Sequence, residues 1–273
     1  MSFSSDVLTL EREGGVATLW LDSAERRNAM GPEFWDDLPR AMQTLADDAD
    51  VRAVVIAAKG PAFSVGLDLK TIGGVLQSGG EGSPVSQRRE LYQEIARLQA
   101  SITSVADCPM PVIAAVHGYC IGGGIDLITA CDIRLAAADA TFSVRETRMA
   151  MVADVGTLQR LPRIIAKGHV AELAYTGKDI AAARAKEIGL VNDVFDSAEE
   201  LVAAAQSLAK EIAANSPLAV QGTKHVLAAN EGRTVAEALD YVALWNASFL
   251  QSGDLMEAVT AFYEKRPPQF RGE

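Results

Sequence analysis

PVIAAVHGYCIGGGIDLITACDIRLAAADATFSVRETRMAMVADVGTLQRL, residues 111–161, is the stretch on which the reading of this chain turns. It opens with a short apolar run, Pro111–Val116, that reads as a buried strand. It then bends at Gly118, passes the triplet Gly122–Gly124 and enters a helix over 125–130. Another strand follows over 133–137. Strand, glycine turn, helix and strand in succession belong to an α/β core. The same stretch sets three acids, Asp126, Glu146 and Asp154, among glycine and apolar residues. Carboxylates are costly to bury without partners, so three in one apolar segment point to proton-transfer chemistry.

The alternation continues outward on both sides. Upstream, 16–21 and 51–57 read as strands, and Phe34, Leu38, Met42 and Leu45 place a helix over 32–46. Residues 71–84, rich in Gly and Ser, read as a loop, and Leu91, Ile95, Leu98, Ile102 and Val105 mark an amphipathic helix. Downstream, a last short strand is expected over 190–195. Beyond it the chain reads as helical, with Ser197/Glu200, Thr234/Glu237 and Asp254/Glu257 each at capping-box spacing. The shift near 196 divides the chain into an α/β core, 1–196, and a helical appendage for packing or assembly, 197–273.

Composition bounds the function. The 273 residues, 49% of them hydrophobic, can bury a sizeable core. The net charge, 25 − 36 = −11, disfavours a nucleic-acid partner but leaves room for an anionic small molecule held by a few local cations. Cys108, Cys120 and Cys131 are too few and too irregularly spaced for a disulfide framework or a zinc site, and read as core residues of a reducing compartment. No membrane-span-length apolar run and no leader pattern is evident, so a cytoplasmic location is expected.

Two glycine-bearing turns each follow a strand: Ala62–Asp68 (AFSVGLD) and His117–Gly124 (HGYCIGGG). The second opens a helix whose first N–H groups lack intrahelical partners. One N–H from each turn could stabilise a developing oxyanion. Neither turn carries the GxGxxG pattern of a dinucleotide site or the Gly-Lys-Ser/Thr of a phosphate loop. His117 reads as a hydrogen-bonding residue at a strand end. No metal-ligand pair and no GxSxG nucleophile motif is present. Each acid taken alone also has an ordinary reading: Asp126 in a first helical turn, Glu146 paired with Arg145 or Arg148, and Asp154 as an N-cap.

GPAFSVGLDLK (60–70) and PVIAAVHGYCIGGGIDLITACDIRLAAADATFSVRE (111–146) resemble the two signature blocks of the crotonase (enoyl-CoA hydratase/isomerase) superfamily, and AFYEKRPPQF (261–270) resembles its C-terminal helix. The resemblance implies a spiral of ββα units with a C-terminal helical trimerisation region, assembled as a homotrimer or dimer of trimers. It implies an acyl-CoA thioester as substrate, whose isomerisation requires no cofactor or metal; the charge and hydropathy leave no nucleic-acid or membrane partner expected. It implies an oxyanion hole from the N–H groups of Val65 and Gly123, and CoA contacts from Arg26 in the 26–29 loop, Ser64, Gly66, Leu67, Asp68 and Lys70. Phe262 and Lys265 would approach the CoA from a neighbouring subunit.

Hydratases of this superfamily carry glutamates at the positions of Asp126 and Glu146 and glycine at that of Asp154. The run ADVGTLQRLP (153–162), with acids Asp, Glu and Asp at the three positions, is similar to the dienoyl-CoA isomerase branch. The resemblance therefore implies conversion of 3,5-dienoyl-CoA to 2,4-dienoyl-CoA by a 1,5-proton shift. C2 and C6 lie about 5 Å apart in an extended chain, so two carboxylates are needed. Glu146 is assigned to C2 and Asp154 to C6, with the two roles exchangeable, and Asp126 tunes the pair. Asp154 is expected to be held protonated by an apolar pocket around Met149–Ala153. The alternatives are a 2-enoyl-CoA hydratase using Asp126 and Glu146, and an acyl-CoA-binding protein without chemistry.

Overall fold

Strand β3 (Ala53–Ala58, AVVIAA) is buried along its whole length, as is β4 (Val112–Val116). Continuous apolar strands of this kind are stable only with both faces covered, the setting of parallel strands inside an α/β core. In the computed structural model, which describes residues 3–70 and 83–273, these two strands lie at the centre of a six-stranded sheet. Its order is β1 (Leu8–Glu13), β2 (Val16–Leu21), β3, β4, β6 (Ile133–Ala137) and β9 (Asp193–Phe195). In this sheet only β1 and β2 pair antiparallel; β2, β3, β4, β6 and β9 run parallel. A second, three-stranded sheet holds β5 (Tyr119–Ile121), β7 (Thr141–Ser143) and β8 (Ile180–Ala181). The loop expected over 71–84 falls outside the described residues as far as 82.

On one face of the large sheet lie α1 (Pro32–Ala46), the C-terminal part of α2 (Pro84–Ala106) and α3 (Gly123–Ala130), around Phe34, Leu38, Leu45, Ile102 and Ile128. On the other face lies α7 (Ala198–Ala213). Its Leu201, Ala205, Ala209 and Ala213, four apart, form one helical stripe against Val55, Ala57, Ile113 and Ala115. The composition shift at 196 is thus not the edge of the packed core: the first helix beyond it is the second cover of the sheet, and its small residues let it sit close to the strands. Helices α8 (Pro217–Ala229), α9 (Val235–Phe249) and α10 (Gly253–Glu264) follow.

Ser197 and Thr234 cap their helices as the spacing predicts, Thr234 in a complete capping box with Glu237. At the third site the cap is Ser252, bonded to the Leu255 N–H, and Asp254 is instead a buried residue of the first turn. All three cysteines are buried and free. Among the described residues no helix is long and apolar enough to cross a membrane.

Candidate active site

Ligands of parallel sheets bind beyond the carboxyl ends of the strands. Here β3 and β4 release the chain into the two glycine turns. The first turn runs beside β5: Phe63 and Ser64 donate their N–H groups to the His117 and Tyr119 carbonyls at 2.9 Å each, and the Ile121 N–H donates to the Ser64 carbonyl at 3.0 Å. The contact depends on missing side chains. A Cβ on Gly66, where φ is +82°, would lie 2.6 Å from the Ile121 carbonyl oxygen, and one on Gly123 would lie 2.7 Å from Met30 Sδ. The two turns are held together at glycine distance.

This packing corrects one donor of the expected oxyanion pair. The Val65 N–H donates to the Arg27 carbonyl at 3.2 Å, so it is already committed. Leu67 forms a parallel bridge with Met30, in which Met30 bonds the flanking Gly66 carbonyl and Asp68 N–H. That register turns the Leu67 N–H away from Met30 and toward the second turn, 3.7 Å from where a Gly123 Cβ would stand. Among the described residues neither the Leu67 nor the Gly123 N–H meets a hydrogen-bond acceptor. Gly123 is the first residue of α3, whose opening N–H groups are unpaired by construction. The donors left without acceptors where the two turns meet are therefore Leu67 and Gly123. The error is one of two residues, which alternation alone does not reveal: the left-handed turn at Gly66 (φ +82°) breaks the period and leaves Val65 paired and Leu67 unpaired.

The carboxyl groups gather beside these donors. Glu146, at the start of a 3-10 turn after β7, packs against Gly122, where a Cβ would lie 3.4 Å from its Oε1. Its Oε2 is buried without a hydrogen-bond partner among the described residues. Burial, and then the charges of Asp126 and Asp154, push its carboxyl up to about 7 despite backbone hydrogen bonds that oppose the shift. Asp126, one turn into α3, is buried and accepts the Thr157 N–H at 2.6 Å. Burial raises its carboxyl; hydrogen bonding from Thr157 opposes this, the Asp154 charge adds to it, and Arg160 counters it.

Asp154 stands differently from the expectation. Its side chain is exposed, and its backbone carbonyl accepts from Gln99 Nε2 at 2.6 Å. Met151 and Val152 before it also face outward, and only Ala153 of the neighbouring run is buried. Among the described residues no apolar pocket encloses Asp154. The reason is local: Ala150 takes a left-handed conformation (φ +57°) and ends the 3-10 turn, so the run that follows is irregular and lacks an inward face. Nor does Asp154 cap a helix, because the N-cap of α4 (Thr157–Arg160) is Gly156. The acids kept from water are Asp126 and, in part, Glu146.

The expected CoA contacts divide. The Ser64 side chain is fully buried, donating to the Asn28 carbonyl at 2.7 Å and accepting from the Gly66 N–H, so it fastens the turn from within. Arg26 lies 3.8 Å from the Asp68 carboxylate, and Lys70 is exposed beside them with its N–H on Asp68 Oδ1. These three share one rim. Phe262 and Lys265 stand exposed at the end of α10.

Asn28 was not singled out from sequence. It is buried in the left-handed region (φ +53°), and its amide takes the Ser23 N–H and donates to the Lys59 and Ala62 carbonyls. An Asn after two arginines in a turn-rich segment was its only signal. Thr157 and Gln99, which bond Asp126 and the Asp154 carbonyl from distant positions, and Arg160, which bonds the Val155 carbonyl, had none. His117 bonds the Gly60 carbonyl at 2.8 Å, as a strand-end packing residue should. Among the described residues no cluster of three His, Cys, Asp or Glu could hold a metal ion.

Two backbone donors without acceptors among the described residues, beside raised carboxyls and beyond the carboxyl ends of parallel strands, are the kinds of group that proton transfer next to a carbonyl uses. Residues 11–273 match the Enoyl-CoA hydratase/isomerase family, and the chain belongs to it. It is 42% identical to the mitochondrial Delta(3,5)-Delta(2,4)-dienoyl-CoA isomerase of Dictyostelium discoideum, over 94% of this chain and 87% of that protein. It is 41% identical to the peroxisomal Delta(3,5)-Delta(2,4)-dienoyl-CoA isomerase of Arabidopsis thaliana, over 97% and 96%. A solved structure of a putative enoyl-CoA hydratase from Streptomyces coelicolor A3(2) superposes with a TM-score of 0.91 at 31% identity, covering 100% of this chain and 97% of that one. The crotonase-like α/β fold is therefore established. The cytoplasmic expectation is overturned, because these isomerase relatives are mitochondrial and peroxisomal proteins. It had rested on the lack of a recognisable leader, which is not evidence of a compartment.

Proposed function

We propose that the protein isomerises 3,5-dienoyl-CoA to 2,4-dienoyl-CoA. The observation that carries this reading is the placement of Glu146 against Gly122, directly beside the Gly123 donor, with Asp154 further along the same segment. A thioester oxygen on the Leu67 and Gly123 N–H groups puts the C2 proton next to Glu146. Each donor contributes roughly 3–4 kcal/mol to the dienolate if it behaves like other oxyanion-hole groups. Glu146 takes the C2 proton and Asp154 delivers one to C6. An acyl chain laid over this segment brings C6 to the exposed Asp154. Asp126 holds the acid segment through the Thr157 N–H and stays out of both transfers. The shift balances in protons and uses no cofactor.

The rim of Arg26, Asp68 and Lys70 serves the CoA moiety. Phe262 and Lys265 reach it from a neighbouring subunit of a homotrimer or dimer of trimers. The hydratase alternative keeps some support from the structural likeness to a protein of that name. Asp154 argues against it, since adding water across a 2,3 double bond needs no third carboxylate at C6.

The test is to mix the protein with a 3,5-dienoyl-CoA, follow the absorbance of the conjugated product, and run a 2-enoyl-CoA hydration assay beside it. Isomerisation with little hydration is expected. Asp154→Asn should abolish it while leaving thioester binding intact. Full activity in that variant, or hydration alone in the parent protein, would sink the assignment.

A further inference from the structure

Arg160 is a half-buried guanidinium that no carboxylate touches among the described residues. Its Nη2 donates to Thr103 Oγ1 on α2 at 2.9 Å, and its Nη1 lies 3.4 Å from the Val155 carbonyl in the acid segment. The plane lies against Gly156, whose φ is +135° and where a Cβ would overlap the guanidinium. A hydroxyl and a carbonyl can be bridged by a neutral side chain, whereas a half-buried cation carries a desolvation cost. Burial holds the guanidinium below its usual range, and the charges it faces offset this only in part: Asp126 from α3 first, then Asp107 at the end of α2, with Arg163 of the following turn, itself paired with Glu231, adding to the cost. Asp154 and Glu146 lie in the segment beyond Asp126 and couple to it.

We propose that Arg160 is a positioning residue of the active site, setting Asp154 and Asp126 relative to each other through the Gly156 backbone and Thr103. Gly156 lies between the two acids' supports: Asp154 is two residues before it, and Thr157, whose N–H pins Asp126, follows it. Fixing this one peptide fixes both carboxyls. The charge has a second effect, holding Asp126 toward its ionised form against burial. Burial remains the larger influence, and the Asp126 carboxyl stays above its usual range.

The kinetic part of this inference rests on the isomerase reading, and the spectroscopic part does not. Arg160→Gln, Arg160→Lys and Thr103→Val would be compared with the parent protein for kcat and KM on 3,5-dienoyl-CoA. The Asp126 carboxyl would be titrated by 13C NMR, assigned with Asp126→Asn. Arg160→Gln should lower kcat about 10- to 100-fold with KM little changed, the scale of a misplacement remote from the reacting atoms. In it Asp126 should titrate at higher pH. Arg160→Lys should restore the titration but not kcat, because an ammonium keeps the charge and loses the fork. Thr103→Val, which spares the charge, should lower kcat alone and serves if the arginine variants fail to fold. An Asp126 titration indifferent to the charge at 160, or an unchanged kcat in Thr103→Val, overturns the proposal. A parent protein without dienoyl turnover would instead end the isomerase reading, while the titration still decides the role of Arg160.

Discussion

Burial moves the Glu146 carboxyl well above its behaviour in water. Its folded value of about 7 lies above the 4.5 of an unperturbed glutamate, with burial the first cause. The folded state therefore holds the proton more tightly than the unfolded chain does. Between about 4.5 and 7 unfolding releases that proton, so this group's contribution to stability declines as pH rises through the window. Glu146→Gln removes the penalty. The variant should match the parent protein near pH 4 and exceed it by up to about 3 kcal/mol at pH 8, read from urea denaturation at both values. Its catalysis should move the other way: kcat/KM of the parent should fall as pH drops through about 7, and the variant should lose about 10²- to 10⁴-fold. A stability difference equal at both pH values would show that Glu146 does not titrate in this way. The sequence named this residue but placed the shifted carboxyl at Asp154, because Met149–Ala153 were counted as walls. Burial follows from side-chain direction, and the left-handed turn at Ala150 is not written in the composition of the run.

At the scale of elements, the site exists because two turns touch, and Gly66 is where the contact is closest. A side chain there meets the Ile121 carbonyl oxygen at 2.6 Å on a backbone already at φ +82°. Gly66→Ala should cost about 1–3 kcal/mol from the conformation alone. It should also part the Leu67 and Gly123 donors, so kcat should fall more than thioester binding does. A variant with parent-like kcat would mean that the donors are not held by this contact. The long apolar elements were legible: β3, β4 and β6, together with α1, α2 and α3, follow from runs and spacings in the chain. The three-residue strand β5 was not, because Tyr119–Ile121 sits between glycines and its partners, β7 and the 62–64 segment, are remote in sequence. Asp254 was misread for a related reason. Capping-box spacing fits it, but Ser252 two residues earlier supplies the cap, and the carboxylate is drawn to partners that lie far away in the chain.

At the scale of the molecule, those partners tie the C-terminal helices to the core. Asp254, buried at the start of α10, accepts the Ser216 hydroxyl at 2.6 Å and the Arg271 and Gly272 N–H groups at 2.7 and 3.0 Å. Arg52, next to β3, donates to the Ala213 and Phe270 carbonyls, so the returning tail spans from the sheet to the end of α10. Phe262 and Lys265 lie on the segment enclosed by this clasp, and the apolar side chains exposed on α9 and α10, Leu244, Met256 and Phe262 among them, fit the subunit contacts proposed for it. Burial works to raise the Asp254 carboxyl, but the hydrogen bonds from Ser216, Arg271 and Gly272, with the Arg52 charge, outweigh it, and the group lies below the usual 3.8. The stabilisation it provides is therefore complete above that value and is lost as pH falls below it. Asp254→Asn should lower stability at pH 7 by about 1–3 kcal/mol, the range for a buried hydrogen-bonded group that loses its charge. The difference should shrink as the parent protein is taken to progressively more acidic pH. If the clasp also orients the end of α10, the same variant should raise KM for a CoA thioester more than it lowers kcat, since Phe262 and Lys265 are assigned to binding and not to proton transfer. Loss of stability with KM unchanged would confine the clasp to folding and remove α10 from the CoA site.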